Sequence, residues 1–299
     1  MRRTLSSLNS PHNPDCGHTL IELLVVIFIT GVVLAMLTSL MQTSVTVKEQ
    51  GSLETEAQQG LRGLLSVMTQ ELRQAGACLS TTGPMIALSG IDNSDQDTLT
   101  LRIGKVSSST LQCAVAAANA AVSGATIITV DDASKFRAGD RVYIESAGTG
   151  QYNAVASVDS GGNTLTLVNA LSAALLASAG VYAIEERTYA LATVSGRPVL
   201  MMAVDGGTQW PLVEGVETFD VIYYLGPCSL NTNGTLNCVG GAVSAPAAGA
   251  AQWNQVKAVG VRAIVSGHKA DKHGVIPRAT TDLAGAVNGY VMVKPRNFL

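Results

Sequence analysis

Aromatic and charged residues are scarce in this chain of 299 residues. Phe, Trp and Tyr together make up 4% of it, Asp, Glu, Lys and Arg make up 14%, and the formal net charge is −3. Because there is no basic excess, the composition does not indicate a nucleic-acid partner. The residues that are abundant, Ala, Gly, Ser, Thr and Val, favour light β-structure with many turns over a dense aromatic core.

Recognisable enzyme motifs are also missing. The sequence contains no GxSxG, HExxH or Walker loop, so we expect no enzyme, no catalytic residue, no cofactor and no metal site. His268 and His273 lie in a polar stretch that predicts a solvated turn. Residues 92–97 have the oxygen density of a calcium loop but lack the Gly and distal Glu of an EF-hand. A polar turn before a strand is therefore the favoured interpretation there, and calcium binding stays open.

One of the five cysteines lies apart from the other four in the sequence. Cys16 lies in the polar N-terminal stretch, whereas the other four form an even set whose spacing matches no zinc pattern. Four cysteines in a translocated domain predict two disulfides with three possible connectivities, and free or metal-bound thiols are the alternative. The disulfide candidates are Cys78, Cys113, Cys228 and Cys238.

The N-terminus combines a short polar stretch with a long apolar one. Residues 1–17 include two arginines and end at Gly17, and between residues 19 and 41 the only ionisable side chain is Glu22. About 20 helical residues at roughly 1.5 Å each span the hydrocarbon of a bilayer. The basic leader would hold the N-terminus on the cytoplasmic side.

Glu22 separates three interpretations of this segment. A cleaved secretory signal would need small residues after the apolar run, where only weak candidates occur. A plain anchor leaves Glu22 unexplained, because a carboxylate inside a membrane costs free energy unless it is paired. Cleavage after Gly17 would make His18 the new N-terminus. In a stack of parallel helices, the Glu22 of one subunit could then meet the ammonium of another, and a low dielectric strengthens this attraction.

A second helical pattern follows the apolar run. Apolar residues recur at steps of three and four from Leu53 to Ala75, and Gly76 is a plausible stop. We therefore predict one helix over residues 19–75, with two helices broken near Gly51 as the alternative. Trp210 and Trp253 are expected to pack in the core or against the sheet, with exposed stacking sites as the alternative.

Beyond Pro84, apolar and polar residues alternate with a period of two, which predicts a β-rich region. Residues 105–180 are rich in Ala, Ser and Gly and resemble an insertion that forms a small β-rich subdomain; it is either a binding surface or a decoration of the sheet. The predicted strands cover residues 98–103, 126–130, 141–145, 153–158, 164–168, 181–192, 198–204, 216–225, 256–265 and 290–294.

The run Gly17-His-Thr-Leu-Ile-Glu22-Leu-Leu-Val-Val resembles the signal of type IV prepilins and type II secretion pseudopilins. The resemblance implies the α+β type IV pilin fold, a long N-terminal helix packed on an antiparallel β-sheet head. It also implies that a prepilin peptidase cleaves after Gly17 and N-methylates His18, and that Glu22 guides assembly. Two positions depart from the family pattern: His18 replaces the usual Phe, and Cys16 replaces a basic residue.

A weaker resemblance covers the head. Residues 69–78, 94–101, 212–224 and 253–262 are similar, in this order, to segments of PilW-type minor pilins and J-type pseudopilins. This resemblance implies a minor pilin that primes assembly or caps the tip of a type IV pilus. A J-type pseudopilin of type II secretion, or a tip adhesin that binds through residues 105–180, is the alternative.

The resemblances also imply a domain organisation and a location. The leader would cover residues 1–17, the transmembrane and assembly helix 18–41, the amphipathic helix 42–76 and the head 77–299. The chain would cross the inner membrane once, with its head in the periplasm, and then enter a pilus or pseudopilus. Its expected partners are the prepilin peptidase, other minor pilins, the major pilin, the inner-membrane assembly platform and, before assembly, the lipid bilayer.

Overall fold

A computed structural model describes residues 19–80, 85–105, 114–230, 236–239, 242–246, 253–267 and 287–295. Gly17 and His18, the predicted cleavage site, lie outside these residues, as do Cys16, Cys113 and the two histidines of the polar stretch. The chain divides into two units, residues 1–50 and residues 51–299.

One long helix, α1, occupies Leu20–Gln74. This confirms the predicted continuous helix, and Gly51 lies inside it. Gly76 has a φ of +75°, a conformation that glycine adopts without strain, and it follows the last helical turn as a C-terminal cap. The apolar stripe predicted for the second half of α1 is buried at Ala57, Leu61, Leu64, Met68 and Leu72.

The described strands that follow α1 form antiparallel sheets. The larger sheet has ten strands in the order β1-β2-β8-β5-β6-β7-β4, with β3 and β9 also paired to β8 and β10 paired to β9. Its strands are β1 (Leu88–Ile91), β2 (Thr98–Gly104), β3 (Val115–Ala116), β4 (Ile127–Thr129), β5 (Arg141–Ser146), β6 (Thr149–Asp159), β7 (Thr164–Leu167), β8 (Gly180–Val194), β9 (Arg197–Val204) and β10 (Gln209–Glu214).

Two smaller sheets complete the head. A four-stranded sheet has the order β14-β11-β15-β16, and β12 and β13 form a two-stranded ribbon. Their strands are β11 (Val216–Tyr224), β12 (Cys228–Leu230), β13 (Leu236–Cys238), β14 (Ala242–Val243), β15 (Ala258–Val265) and β16 (Val287–Val293). With α1, these sheets confirm the predicted α+β fold class of a long N-terminal helix and an antiparallel β-sheet head.

The first hydrophobic core lies between the second half of α1 and the sheets. Tyr189 of β8 and Phe219 of β11 are fully buried in it, and Trp253 meets Tyr223 edge-to-face with 5.0 Å between the ring centroids. The Nη1 group of Arg187 on β8 donates to both carboxylate oxygens of Glu71 on α1, at 2.7 and 2.6 Å. This charge-assisted contact ties the helix to the sheet.

A second core is formed between residues 115 and 183. Its buried side chains include Ile128, Phe136, Val142 and Leu165, none of which belongs to the first core. Strand β8 serves both cores: its first residues pair with β3 and β5, and the remainder pairs with β2 and β9. The second core therefore joins the first through one continuous strand of 15 residues.

Ion pairs cross the seam between the two cores. The Glu186 carboxylate of β8 accepts from Arg102 of β2 at 2.8 Å and from Arg141 of β5 at 3.1 Å. Nearby, Lys105 lies 3.0 Å from a carboxylate oxygen of Asp140. These pairs are partly shielded from water, so their geometry constrains how the second core is oriented on the first.

Each predicted strand overlaps an observed one, but some short strands were missed. Sequence analysis did not identify β1, β3, β10 or β12–β14, because they are short or show no clean alternation. The expectation for the two tryptophans is half right. Trp253 is buried, whereas Trp210 on edge strand β10 is 61% exposed. Trp210 therefore projects from a part of the sheet that the described elements leave largely uncovered.

Candidate functional site

The first half of α1 presents an apolar surface on all sides. From Leu20 to Val47, each Val, Leu, Ile, Met and Phe side chain is at least 40% exposed. By length and composition, α1 is the one helix among the described residues that is able to cross a membrane. A helix that is apolar all round is stable in water only when it is covered, and a bilayer or other helices provide such a cover.

Glu22 lies in the first turn of this helix. Its backbone N–H donates to the carbonyl of Thr19 at 3.0 Å, and its side chain is exposed. A carboxylate in the first turn interacts favourably with the positive end of the helix dipole, which offsets part of its desolvation. The predicted site residue therefore lies on the exposed surface of the helix at its N-terminal end.

Three threonine hydroxyl groups of the apolar segment are satisfied within the helix. Thr30, Thr38 and Thr43 donate to the carbonyls of Val26, Leu34 and Ser39, at 2.7, 3.0 and 3.0 Å. A hydroxyl with no partner would be costly in hydrocarbon, so bonding to the preceding turn makes threonine compatible with such a solvent. These polar residues do not conflict with a membrane location.

The structure pairs two of the four disulfide candidates. Cys228 and Cys238 lie directly opposite each other in the β12–β13 ribbon and are joined by a disulfide. Cys78, which follows the end of α1, is also disulfide-bonded. Cys113 lies outside the described residues. The predicted second disulfide therefore stays a prediction.

The acidic loop before β2 has a structural explanation. Asp97 is 1% exposed, and its carboxylate accepts from the backbone N–H groups of Asn93 and Val221 at 2.9 and 2.7 Å. Burial raises the pKa of Asp97, although these two hydrogen bonds act in the opposite direction. The carboxylate ties the loop to β11. Within the part of the chain that the structure describes, no group of three or more His, Cys, Asp or Glu is placed to hold a metal.

One surface was missed by sequence reasoning. Arg73, in the last turn of α1, lines an open groove of about 670 Å³ between the helix and strand β16, together with Tyr290 and Val291. The last turn of α1 and strand β16 are more than 200 residues apart in sequence. No local pattern indicates that they lie side by side.

Comparison with known proteins supports the N-terminal assignment. Residues 13–38 match the family described as the prokaryotic N-terminal methylation motif. This match confirms the resemblance to prepilins of the type IV pilin superfamily; it covers Gly17, His18 and Glu22 but not the head. No curated protein sequence matches the chain significantly.

Among solved structures, the chain is similar to a type IV-like pilin from Thermus thermophilus. The two are 15% identical with a TM-score of 0.34, and the alignment covers 81% of this chain and 97% of the other. A similarity this low carries no inference about function. The PilW-type assignment of the head remains a prediction.

Replacing Asp97 tests the structural role of the acidic loop. Asp97→Ala leaves two backbone N–H groups near β11 without their acceptor, so we expect it to lower the free energy of unfolding by about 1–3 kcal/mol. Asp95→Ala is the matched control, because the Asp95 side chain is 68% exposed. Denaturant unfolding of the full chain in detergent measures both. Equal stability of the two variants would contradict this role.

Proposed function

We propose that this chain, which carries the N-terminal methylation motif of prokaryotic prepilins, is a PilW-like minor pilin of a type IV pilus. It is a structural subunit that primes assembly or caps the filament tip, and we assign it no enzymatic activity. The observation that carries the proposal is a single carboxylate, Glu22, at the start of an exposed apolar helix, five residues after the Gly17 of the matched motif.

Processing is the first step of the proposed function. A prepilin peptidase cuts between Gly17 and His18, removes residues 1–17 and methylates the new amine. The methylated ammonium then lies just before the first turn of α1, because the helix begins at Leu20. Cleavage therefore converts a basic leader into a single positive charge at the end of an apolar helix.

Assembly is the second step. In the bilayer, the apolar half of α1 is solvated by lipid, and the head lies on the periplasmic side. In the filament, the apolar surface is covered by the helices of other minor pilins and the major pilin, after extraction at the inner-membrane platform. The Glu22 carboxylate pairs there with the N-terminal ammonium of a neighbour. Away from water, such a pair gains much more Coulomb energy than on a protein surface.

The size of the head supports a minor rather than a major subunit. A filament of many identical copies packs compact heads side by side, whereas this head carries a second core formed between residues 115 and 183. Such an addition is easier to accommodate where few copies are present, as at a tip. A J-type pseudopilin of type II secretion obeys the same physical constraints and is the alternative within the superfamily.

An adhesive role for the predicted insertion is a second candidate function. Ile127 and Val168 lie on the outer face of the β4–β7 pair, with exposed fractions of 57% and 59%. The two strands present Thr129, Thr164 and Thr166 as well, and the charged Asp159 lies opposite Thr164 on the neighbouring strand β6. An exposed sheet face with apolar and hydroxyl side chains on a separately packed module favours contact with another molecule.

Substitution of Gly17 tests the processing step. Gly17→Val, with a side chain at the position before the cleaved bond, should leave the leader attached, and the protein should then keep its first seventeen residues. Cys16→Ala is the matched control and should be cut normally. Intact mass and N-terminal sequencing of the membrane-bound protein measure the result. A native chain that begins anywhere other than His18 would contradict the proposal.

Substitution of Glu22 tests the assembly step. Glu22→Ala should be cleaved and inserted into the membrane, but its recovery in sheared filaments should fall about tenfold or more, because losing one partner of a buried ion pair costs about 3–5 kcal/mol. Glu54→Ala removes an exposed carboxylate from the same helix and should assemble normally. Immunoblots of filament and membrane fractions give the ratio. Normal assembly of Glu22→Ala refutes the ion-pair account, and recovery of the native chain only with a secretion apparatus favours the pseudopilin.

Removal of the insertion tests the adhesive role. Gly104 and Ile184 are directly paired across β2 and β8, so a two-residue Asn-Gly turn can replace residues 105–183 and close a hairpin. Cys78→Ser is added so that no thiol is left free. We expect the variant to form pili in normal number but to lose adhesion in a surface-attachment assay. Normal adhesion excludes the adhesive role, and loss of pili assigns the insertion to assembly.

A further inference from the structure

Strand β16 is the outermost strand of the four-stranded sheet. All seven of its residues pair with β15 in one unbroken register, from Val287 opposite Val265 to Val293 opposite Val259. Among the described residues, no strand pairs with its other side. A strand with one free side presents a row of backbone N–H and C=O groups that another extended chain can pair with.

The other edges are protected in ways that β16 is not. Edge strand β10 carries Pro211, a register shift after it and Glu214. Strands β1, β4 and β14 are only four, three and two residues long. In contrast, β16 contains seven residues without proline, charge or bulge. Edges of this kind invite pairing, so the contrast singles out β16 as a long edge without such protection among the described strands.

The groove beside β16 indicates the chemistry of a partner. Gly289 lies so close to α1 that an added Cβ would meet Leu61 and Leu65, so β16 is packed firmly onto the helix. Beyond this contact the groove opens, with Leu65 and Val291 as apolar lining and Arg73 as its charged residue. Arg73 is exposed and forms no ion pair within the described residues. A segment that fills the groove therefore gains from apolar side chains and one carboxylate.

We propose that β16 is a docking edge for an added β-strand. An extended segment of a neighbouring subunit pairs with the free side of β16, its apolar side chains enter the groove, and an Asp or Glu reaches Arg73. Main-chain hydrogen bonds supply the affinity, while the groove and the guanidinium supply the selection. The inference rests on the proposed function for the origin of the segment, since a pilus places other subunits next to this head.

Site-specific photo-cross-linking in whole cells tests the docking edge. A photoreactive amino acid replaces Asn288, an exposed residue of β16, in the full-length chain. Thr193, exposed near the end of β8, is the control position. We expect irradiation to join position 288, but not 193, to a separate polypeptide. Mass spectrometry of the joined peptides should identify an extended segment of another subunit that contains Asp or Glu.

The charge at the groove is tested in the same cells. Arg73→Glu should lower the cross-linked fraction at position 288 about tenfold or more, because like charges placed together are strongly unfavourable. Arg62→Glu makes the same change at an exposed position of the same helix, outside the groove, and should leave the cross-linked fraction unchanged. Equal effects of the two variants would show that no acidic residue of the partner segment binds Arg73.

Three results separate failure of the docking edge from failure of the proposed function. A cross-link that stays within one polypeptide shows that the chain covers its own edge, and overturns the docking edge. Absence of any cross-link while the mature chain is recovered in filaments also overturns it and leaves the proposed function intact. Absence of the chain from filaments, with or without a cross-link in the membrane, counts against the proposed function instead.

Discussion

A carboxylate at the start of an apolar helix is the constraint on which the N-terminal half of α1 depends. Glu22 lies in the first turn of α1, and the apolar side chains after it are exposed along the helix. Lipid covers the apolar side chains at no cost but solvates a carboxylate poorly. Membrane insertion is therefore favourable for the apolar side chains of this segment and unfavourable for Glu22. In the assembly that we propose, other helices resolve this conflict, because they would cover the apolar surface and bring an ammonium to Glu22.

In the head, strand β8 links two separately packed cores. One end of the strand carries Val181 and Ala183 into the second core, and the other end carries Tyr189 into the first. Continuous pairing on both sides of β8, with Glu186 bonded to arginines on β2 and β5, leaves little freedom for one core to move on the other. A pulling force on a ligand bound to the second core would therefore be transmitted to the first core through β8.

Local patterns account for the parts of the fold that were predicted. The apolar stripe of α1 and the alternation in β2 are repeated over enough residues to define their period, and Gly76 ends the helix for a reason visible in one residue. Strands β1 and β10 escaped because their residues alternate weakly, and pairing with β2 and β9 decides their state. The exposure of Trp210 was missed for a related reason: no sequence pattern shows whether another element covers its face of the sheet.

The sequence by itself determined the interpretation of the N-terminal segment, since Gly17, the apolar run and Glu22 are recognised by their spacing along the chain. It also identified the four cysteines, although only the ribbon of β12 and β13 decided that Cys228 pairs with Cys238. Tertiary structure alone decided the two cores, the burial of Asp97 and the groove at Arg73. Each of these brings together residues distant in the chain, and their proximity results from strand pairing and helix packing, which no local period encodes.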